Sequence, residues 1–136
     1  MNQRHPIPGR LRQILIFFFL LLATPFITEA ADNISAHYTD RHPTHLTLEI
    51  QIRPPAPASI ILIQYLPPGT SLKSATPAYK KYNKNKGEVR WLLRNPTSGV
   101  IQVGLDLAGP INPEQARAII RWVDPGNGQP QSFQAH

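Results

Sequence analysis

Apolar residues recur at every second position in several stretches of this chain, and prolines separate these stretches from one another. Of the fifteen prolines, twelve lie beyond residue 30. Proline has no N–H group to donate within a helix or a β-ladder, so it keeps each element short. Because side chains of a strand alternate between two faces, a period of two indicates half-buried strands. The prolines therefore restrict the chain to short strands, and the sequence predicts an all-β fold.

The clearest predicted strand covers His45–Arg53, where apolar and polar residues alternate without interruption. Ile60–Leu66 is almost continuously apolar and ends at Pro67-Pro68-Gly69, as expected for a strand that is covered on both sides or reaches an edge. Period-two patterns follow in Glu88–Leu93 and Ile101–Leu107. Strands bounded by proline and glycine turns in this way favour a β-sandwich.

The segment from residue 113 to residue 124 allows two interpretations. Asn112 and Pro113 could cap and open a helix. The apolar pairs Ile119-Ile120 and Trp122-Val123 favour a strand instead, preceded by a single turn. We expect the strand and keep the helix as the alternative.

Residues 1–30 have the layout of a secretory signal peptide. A basic head with Arg4, Arg10 and Arg12 precedes the apolar run Ile14–Ala23, and small residues follow up to Ala30. Cleavage after Ala30 is the favoured outcome, and an uncleaved membrane anchor is the alternative. The sequence contains no cysteine, so the core must hold the fold without disulfides. We expect export to the periplasm or the cell exterior of a bacterium.

Beyond residue 30, the sequence predicts one domain with polar segments at both ends. The expected division is a flexible arm at 31–44, a sandwich at 45–124 and a tail at 125–136. Beyond residue 30, eleven Lys and Arg face seven Asp and Glu, a net charge of +4. This mild charge does not predict a nucleic-acid partner.

Two motifs give the chain a family resemblance. Leu66-Pro67-Pro68-Gly69, continuing to Ala75, is followed by Gly87-Glu88-Val89-Arg90-Trp91 and then by a strand led by Gly99. This pattern resembles the bacterial "conserved repeat" module, the immunoglobulin-like domain of unknown function number eleven, here in a single copy. The family's usual Asn-x-Gly turn is replaced by the proline-rich stretch at 53–57. The resemblance implies an immunoglobulin-like β-sandwich of about six or seven strands and a surface or adhesion setting.

The lysine loop, which we define as residues 79–86, is the main candidate binding site. It concentrates four lysines and two tyrosines, which could bind an anionic surface polymer or an acidic partner. An ordinary solvated loop is the alternative. The candidate binding residues are Tyr79, Lys80, Lys81, Tyr82, Lys84 and Lys86.

Three histidines form the nearest approach to a metal cluster. His37, His42 and His45 could gather around zinc or copper if the segment before the first predicted strand were looped. Nothing in the sequence specifies the shell of residues that would orient them, so we expect neither a metal nor another cofactor.

No motif predicts catalysis. The sequence has neither a Gly-x-Ser-x-Gly elbow nor a glycine-rich phosphate loop, so we expect no enzyme. Seven residues are expected in the structural core: Leu46, Leu48, Ile50, Trp91, Val103, Leu105 and Trp122. The predicted function is an exported binding or assembly module of the bacterial envelope that contacts another envelope protein through the lysine loop or a sheet edge, for which Ile60–Leu66 and Ile101–Leu107 are candidates. A carbohydrate- or polyanion-binding module is the alternative, and a periplasmic metal-binding protein is less favoured.

Overall fold

The computed structural model describes residues 32–136, which form nine strands and one short 3₁₀ turn. The strands are β1 (Ile34–His42), β2 (His45–Ile52), β3 (Ser59–Tyr65), β4 (Leu72–Thr76), β5 (Lys81–Asn83), β6 (Glu88–Arg94), β7 (Gly99–Leu107), β8 (Arg117–Val123) and β9 (Pro130–Ala135). Sheet A has the order β1–β2–β7–β4, and sheet B has the order β5–β6–β3–β8–β9. All pairings are antiparallel. The predicted all-β sandwich is confirmed, with nine strands instead of six or seven. The signal-peptide prediction for residues 1–30 lies outside the described residues.

The inner faces of the two sheets share one apolar core. Trp91 is 1% exposed, and its indole N–H donates to the carbonyl oxygen of Pro77 at 2.8 Å. A buried indole needs such a partner, since an unpaired buried donor is costly. All seven predicted core residues are buried: Leu46, Leu48, Ile50, Trp91, Val103, Leu105 and Trp122.

The predicted flexible arm at 31–44 is wrong, because residues 34–42 form β1 at the edge of sheet A. Ile34 and Ala36 are buried, and β1 pairs with β2 from Ile34 opposite Ile52 to His42 opposite His45. Polar residues dominate the arm, so its alternation is weak in the sequence. Pairing with the strong β2 pattern nevertheless gives it a ladder from Ile34 to His42, with one irregularity between Tyr38 and Asp40.

The predicted tail at 125–136 is also wrong for residues 130–135, which form β9. The turn from β8 to β9 contains Gly128 at φ +70°, and the N–H of Gly128 donates to the carbonyl oxygen of Asp124 at 2.8 Å. A left-handed residue in this turn favours glycine. The strand expected within 113–124 is confirmed: one 3₁₀ turn at Pro113–Gln115, capped by the Asn112 side chain, precedes β8.

Gly87 explains why a glycine opens the Gly-x-Val-x-Trp motif. Its φ is +64°, and a Cβ atom there would lie 2.1 Å from the carbonyl oxygen of Leu66. The N–H of Leu66 in turn donates to the carbonyl oxygen of Gly87 at 2.7 Å. This close backbone approach joins the end of β3 to the start of β6, and only glycine fits there.

Candidate functional site

The lysine loop lies at an edge of sheet B, around the three-residue strand β5. Its four lysines, Lys80, Lys81, Lys84 and Lys86, are all exposed. The N–H of Gly69 donates to the carbonyl oxygen of Lys84 at 2.8 Å, and the N–H of Lys86 donates to Oδ1 of Asn83 at 3.2 Å. The first bond ties the loop to the segment after β3 and the second closes the turn within the loop, so the lysines extend from an anchored support.

The two loop tyrosines have different environments. Tyr82 is half-buried, and its hydroxyl donates to the carbonyl oxygen of Thr70. Burial, with a smaller contribution from Tyr79, raises the pKa of the Tyr82 hydroxyl. Tyr79 is 41% exposed and meets the Tyr82 ring edge to face at 6.2 Å between centroids. Tyr82 therefore anchors the loop, and Tyr79 is the ring available for stacking on a ligand.

The two strands considered as docking edges lie inside their sheets. β3 is paired with both β6 and β8, so its apolar run reflects cover on two sides. β7 is paired with β2 along its length and with β4 from Gly104 to Leu107. On the β4 side, this register leaves Gly99–Val103 outside the pairing. Strand addition along either predicted candidate is therefore blocked over most of its length.

The four true edge strands each have a feature that opposes the addition of another strand. β1 and β4 have irregular registers, between Tyr38 and Asp40 in β1 and between Leu72 and Ser74 in β4. β5 has only three residues and carries Lys81, and β9 begins with Pro130. Bulges, short length, lysine and proline are the usual protections of sheet edges. Apart from Gly99–Val103 of β7, which β4 leaves unpaired, the sheet edges thus oppose main-chain pairing, and we expect a partner to bind side chains on a face or loop.

The three predicted metal candidates do not converge. Nε2 of His37 lies 4.0 Å from Glu49, Nδ1 of His42 lies 3.1 Å from Oγ1 of Thr44, and His45 contacts Asp106. Within residues 32–136, no group of three or more His, Asp or Glu side chains could hold a metal ion. His42 and His45 lie opposite each other at the end of the β1–β2 hairpin but contact different partners, and His37 lies farther along β1, opposite Glu49.

His45 instead belongs to a polar network on the outer face of sheet A. Its Nδ1 lies 2.6 Å from Oδ1 of Asp106, and its Nε2 lies 3.0 Å from Oγ1 of Thr47. The hydroxyl of Ser74 donates to Oδ2 of Asp106 at 2.7 Å. The Ser74 hydrogen bond first, and then that of His45, lowers the pKa of Asp106. We call this outer surface of sheet A the polar face.

On the polar face, the Thr47 hydroxyl, the His45 imidazole and the Asp106 carboxylate follow one another in the order used by hydrolases. Catalysis of acyl transfer also needs N–H groups that stabilise an oxyanion. Thr47 lies in β2, which is paired on one side with β1 and on the other with β7. The N–H groups of this interior strand are committed to the ladders, so β2 itself supplies no free N–H donor for an oxyanion beside Thr47.

The outer face of sheet B has a different character, which sequence reasoning missed. Side chains paired across the strands form rows, including Leu92 opposite Ile61 and Ile61 opposite Arg121. In the next row Arg90 lies opposite Ile63, and Ile63 lies opposite Ile119. The apolar members of this face are Ile61, Ile63, Leu92, Ile119 and Val123, and the basic members are Lys81, Arg90, Arg94, Arg117 and Arg121. We call this surface the arginine face.

Most cations of the arginine face are not neutralised by the described part of the chain. Arg90 pairs with Glu88 at 2.5 Å, and the guanidinium of Arg117 lies 4.8 Å from the centre of the Tyr65 ring. Among residues 32–136, Arg94, Arg117 and Arg121 form no ion pair within 4.0 Å. The only signal in the sequence was the outward position of arginines and isoleucines in three separate strands, and their adjacency depends on the strand order.

Comparisons with known proteins do not identify a family for this chain. The sequence matches no protein-family model, and no curated protein gives a significant match. A crystal structure of an inactive mutant of a GH20 exo-β-N-acetylglucosaminidase from Vibrio harveyi is similar over 76% of this chain, at 9% identity and a TM-score of 0.36. The aligned region spans 17% of that structure's chain. In residues 32–136, no helix is long and apolar enough to cross a membrane.

Proposed function

We propose that this chain is an exported, non-enzymatic binding or assembly module of the bacterial envelope. The layout of residues 1–30 supports export, and the arginine face supports binding. Ile61 is 40% exposed, Leu92 37% and Val123 56%. Exposed apolar groups that adjoin one another within a polar rim are typical of interaction surfaces. On the polar face, by contrast, the side chains of His45, Thr47, Ser74 and Asp106 bond to one another.

The proposal is tested by retention from envelope fractions on the immobilised full chain, at low and at high salt. The matched variants are a double Ile61→Ser, Leu92→Ser chain on the arginine face and a Val100→Ser chain on the outer side of sheet A, where Val100 is 58% exposed. We expect the wild-type and Val100→Ser chains to retain the same component and the double variant to lose it. Equal retention by all three chains, or retention by none, would contradict the proposal.

A polyanion-binding role for the lysine loop is the second candidate function. The observation that favours it is the exposed Tyr79 ring beside four exposed lysines, a combination suited to stacking and charge contacts. Replacing Lys80, Lys81, Lys84 and Lys86 by alanine should then abolish binding to heparin or lipopolysaccharide that weakens as salt rises. Binding that persists in this variant, or that ignores salt, would eliminate the candidate.

A further inference from the structure

We infer that the arginine face docks an acidic protein segment whose carboxylates flank exposed apolar side chains. This inference rests on the proposed function and names the partner's chemistry. Three observations support it: the cations without ion-pair partners, the limited exposure of the apolar centre, and the features of the edge strands that oppose strand addition.

The cations select a negatively charged partner. Lys81, Arg94, Arg117 and Arg121 form no ion pair among residues 32–136, and Glu88 is the one carboxylate on the outward rows of the face. Guanidinium groups bind carboxylates through two parallel hydrogen bonds and are less strongly hydrated than ammonium groups, which suits them to interfaces. A second copy of this chain in a face-to-face dimer would bring arginines against arginines, which opposes association. Charge complementarity therefore favours an acidic partner.

The shape of the apolar centre favours a protein over a lipid surface. Ile63 is only 3% exposed, and Ile61 and Leu92 retain about two fifths of their area to solvent. These side chains lie in the middle of a sheet, with longer arginines around them. An interfacial membrane anchor needs apolar side chains that reach past the charged ones into the acyl boundary. A partly apolar protein surface can instead cover the centre while its carboxylates reach the rim.

The sheet edges direct the partner to the face. Each edge strand has a bulge, a lysine, a proline or a very short length, which hinders main-chain pairing. The docked segment is thus recognised through its side chains. An extended segment with alternating carboxylate and apolar side chains has the required chemistry, because its apolar residues share one face.

The test uses the full chain and labelled peptides of about twelve residues, roughly 40 Å when extended. Glu and Val alternate in the probe, Glu and Ser in one control, and Lys and Val in another. Fluorescence anisotropy measures each dissociation constant. We expect the Glu–Val peptide to bind most tightly, the Glu–Ser peptide about tenfold more weakly and the Lys–Val peptide not at all. Equal binding of the two glutamate peptides would overturn the inference, since charge alone would then explain the binding.

Matched variants locate the binding. An Arg94→Gln, Arg121→Gln chain removes two positive charges from the arginine face. An Arg53→Gln, Lys73→Gln chain removes two exposed charges that lie off sheet B. We expect roughly tenfold or greater weakening of Glu–Val binding in the first variant and less than about twofold in the second. Similar weakening in both would overturn the assignment to this face.

Vesicles containing about one third phosphatidylglycerol provide the competing surface. Binding to these vesicles without binding to the Glu–Val peptide would overturn the inference in favour of a membrane. If no peptide binds while the Ile61→Ser, Leu92→Ser chain still loses its envelope component, the acidic-segment inference fails and the proposed function stands. The two failures are therefore distinguishable.

Discussion

The two outer faces of the sandwich arise from the same alternation of residues but differ in their chemistry. On the polar face, Asp106 accepts hydrogen bonds from Ser74 and contacts His45, and Glu49 lies near His37. On the arginine face, isoleucines and Leu92 adjoin arginines, of which only Arg90 has a carboxylate partner among residues 32–136. Polar groups that pair with one another have little capacity left to bind a partner. A face with unpaired cations beside exposed apolar groups, in contrast, is suited to binding.

Two adjacent residues of β6 allow a direct comparison of how much the core and the arginine face contribute to stability. Trp91 is buried, and Leu92 points outward. We expect Trp91→Ala to lower the free energy of unfolding by about 3 to 5 kcal/mol, as for a core aromatic residue. Leu92→Ala should cost less than about 1 kcal/mol. Denaturant unfolding measures both, and equal losses would show that Leu92 is part of the stabilising core.

Tyr38 joins the sheets through the hydrogen bond from its hydroxyl to Oε1 of Gln64, at 2.9 Å. Gln64 is 3% exposed, so Tyr38→Phe leaves a buried acceptor without this donor and should cost about 1 to 3 kcal/mol. Tyr79→Phe, at an exposed ring, is the matched control and should change the unfolding free energy by less than about 0.5 kcal/mol. Equal unfolding midpoints for the two variants would contradict this role of Tyr38.

The same tyrosine gives a pH dependence with a defined sign. Burial raises the pKa of Tyr38 from 10.0 to about 12. The folded state therefore keeps this proton at a pH where the unfolded chain releases it. The resulting contribution, roughly 2 to 3 kcal/mol, is complete below pH 10 and is lost as the pH rises to about 12. Wild type should lose stability more steeply than Tyr38→Phe over this range, and parallel curves would contradict the assignment.

The polar face should contribute a smaller stabilisation that disappears in acid. Asp106→Asn removes the carboxylate that Ser74 and His45 contact, so we expect a lower melting temperature near neutral pH, with a smaller drop than in Tyr38→Phe. Because the pKa of Asp106 is lowered from 3.8 in the folded state, its stabilisation is present above that value and is lost as the pH falls. The melting temperatures of the two chains should converge in acid, and a constant gap would argue against this network.

The arginine face should contribute least to stability. We expect the Arg94→Gln, Arg121→Gln chain to unfold within about 0.5 kcal/mol of wild type, because neither cation has an ion-pair partner within residues 32–136. A decrease of more than about 1 kcal/mol in the free energy of unfolding, measured with denaturant, would show that these arginines stabilise the fold.

The sequence predicted the elements better than their arrangement. Strong alternation identified the β2 strand, and the predicted burial of Trp91 follows from its place in such a pattern. The patterns in β1 and β9 are too weak to predict strands on their own, because their pairing partners supply the regularity that the strands themselves lack. The role of Gln64 also depends on Tyr38, which lies 26 residues away.

The candidate surfaces were partly visible in the sequence. The lysine loop is contiguous in the chain, so composition alone indicated it. The arginine face combines residues from β3, β6 and β8, and its recognition required the strand order. The contact between His45 and Asp106 likewise joins residues 61 positions apart, so the sequence shows the neighbouring histidines but not the polar network.

We propose that the arginine face, and not the polar face, is the binding surface of this molecule. Site-specific photo-crosslinking in intact cells tests it most directly, with the crosslinker placed at Leu92 in one full-length chain and at Gln102, exposed on the polar face, in another. We predict a discrete adduct from position 92 and none from position 102. Equal adducts from both positions, or an adduct from position 102 alone, would contradict the claim.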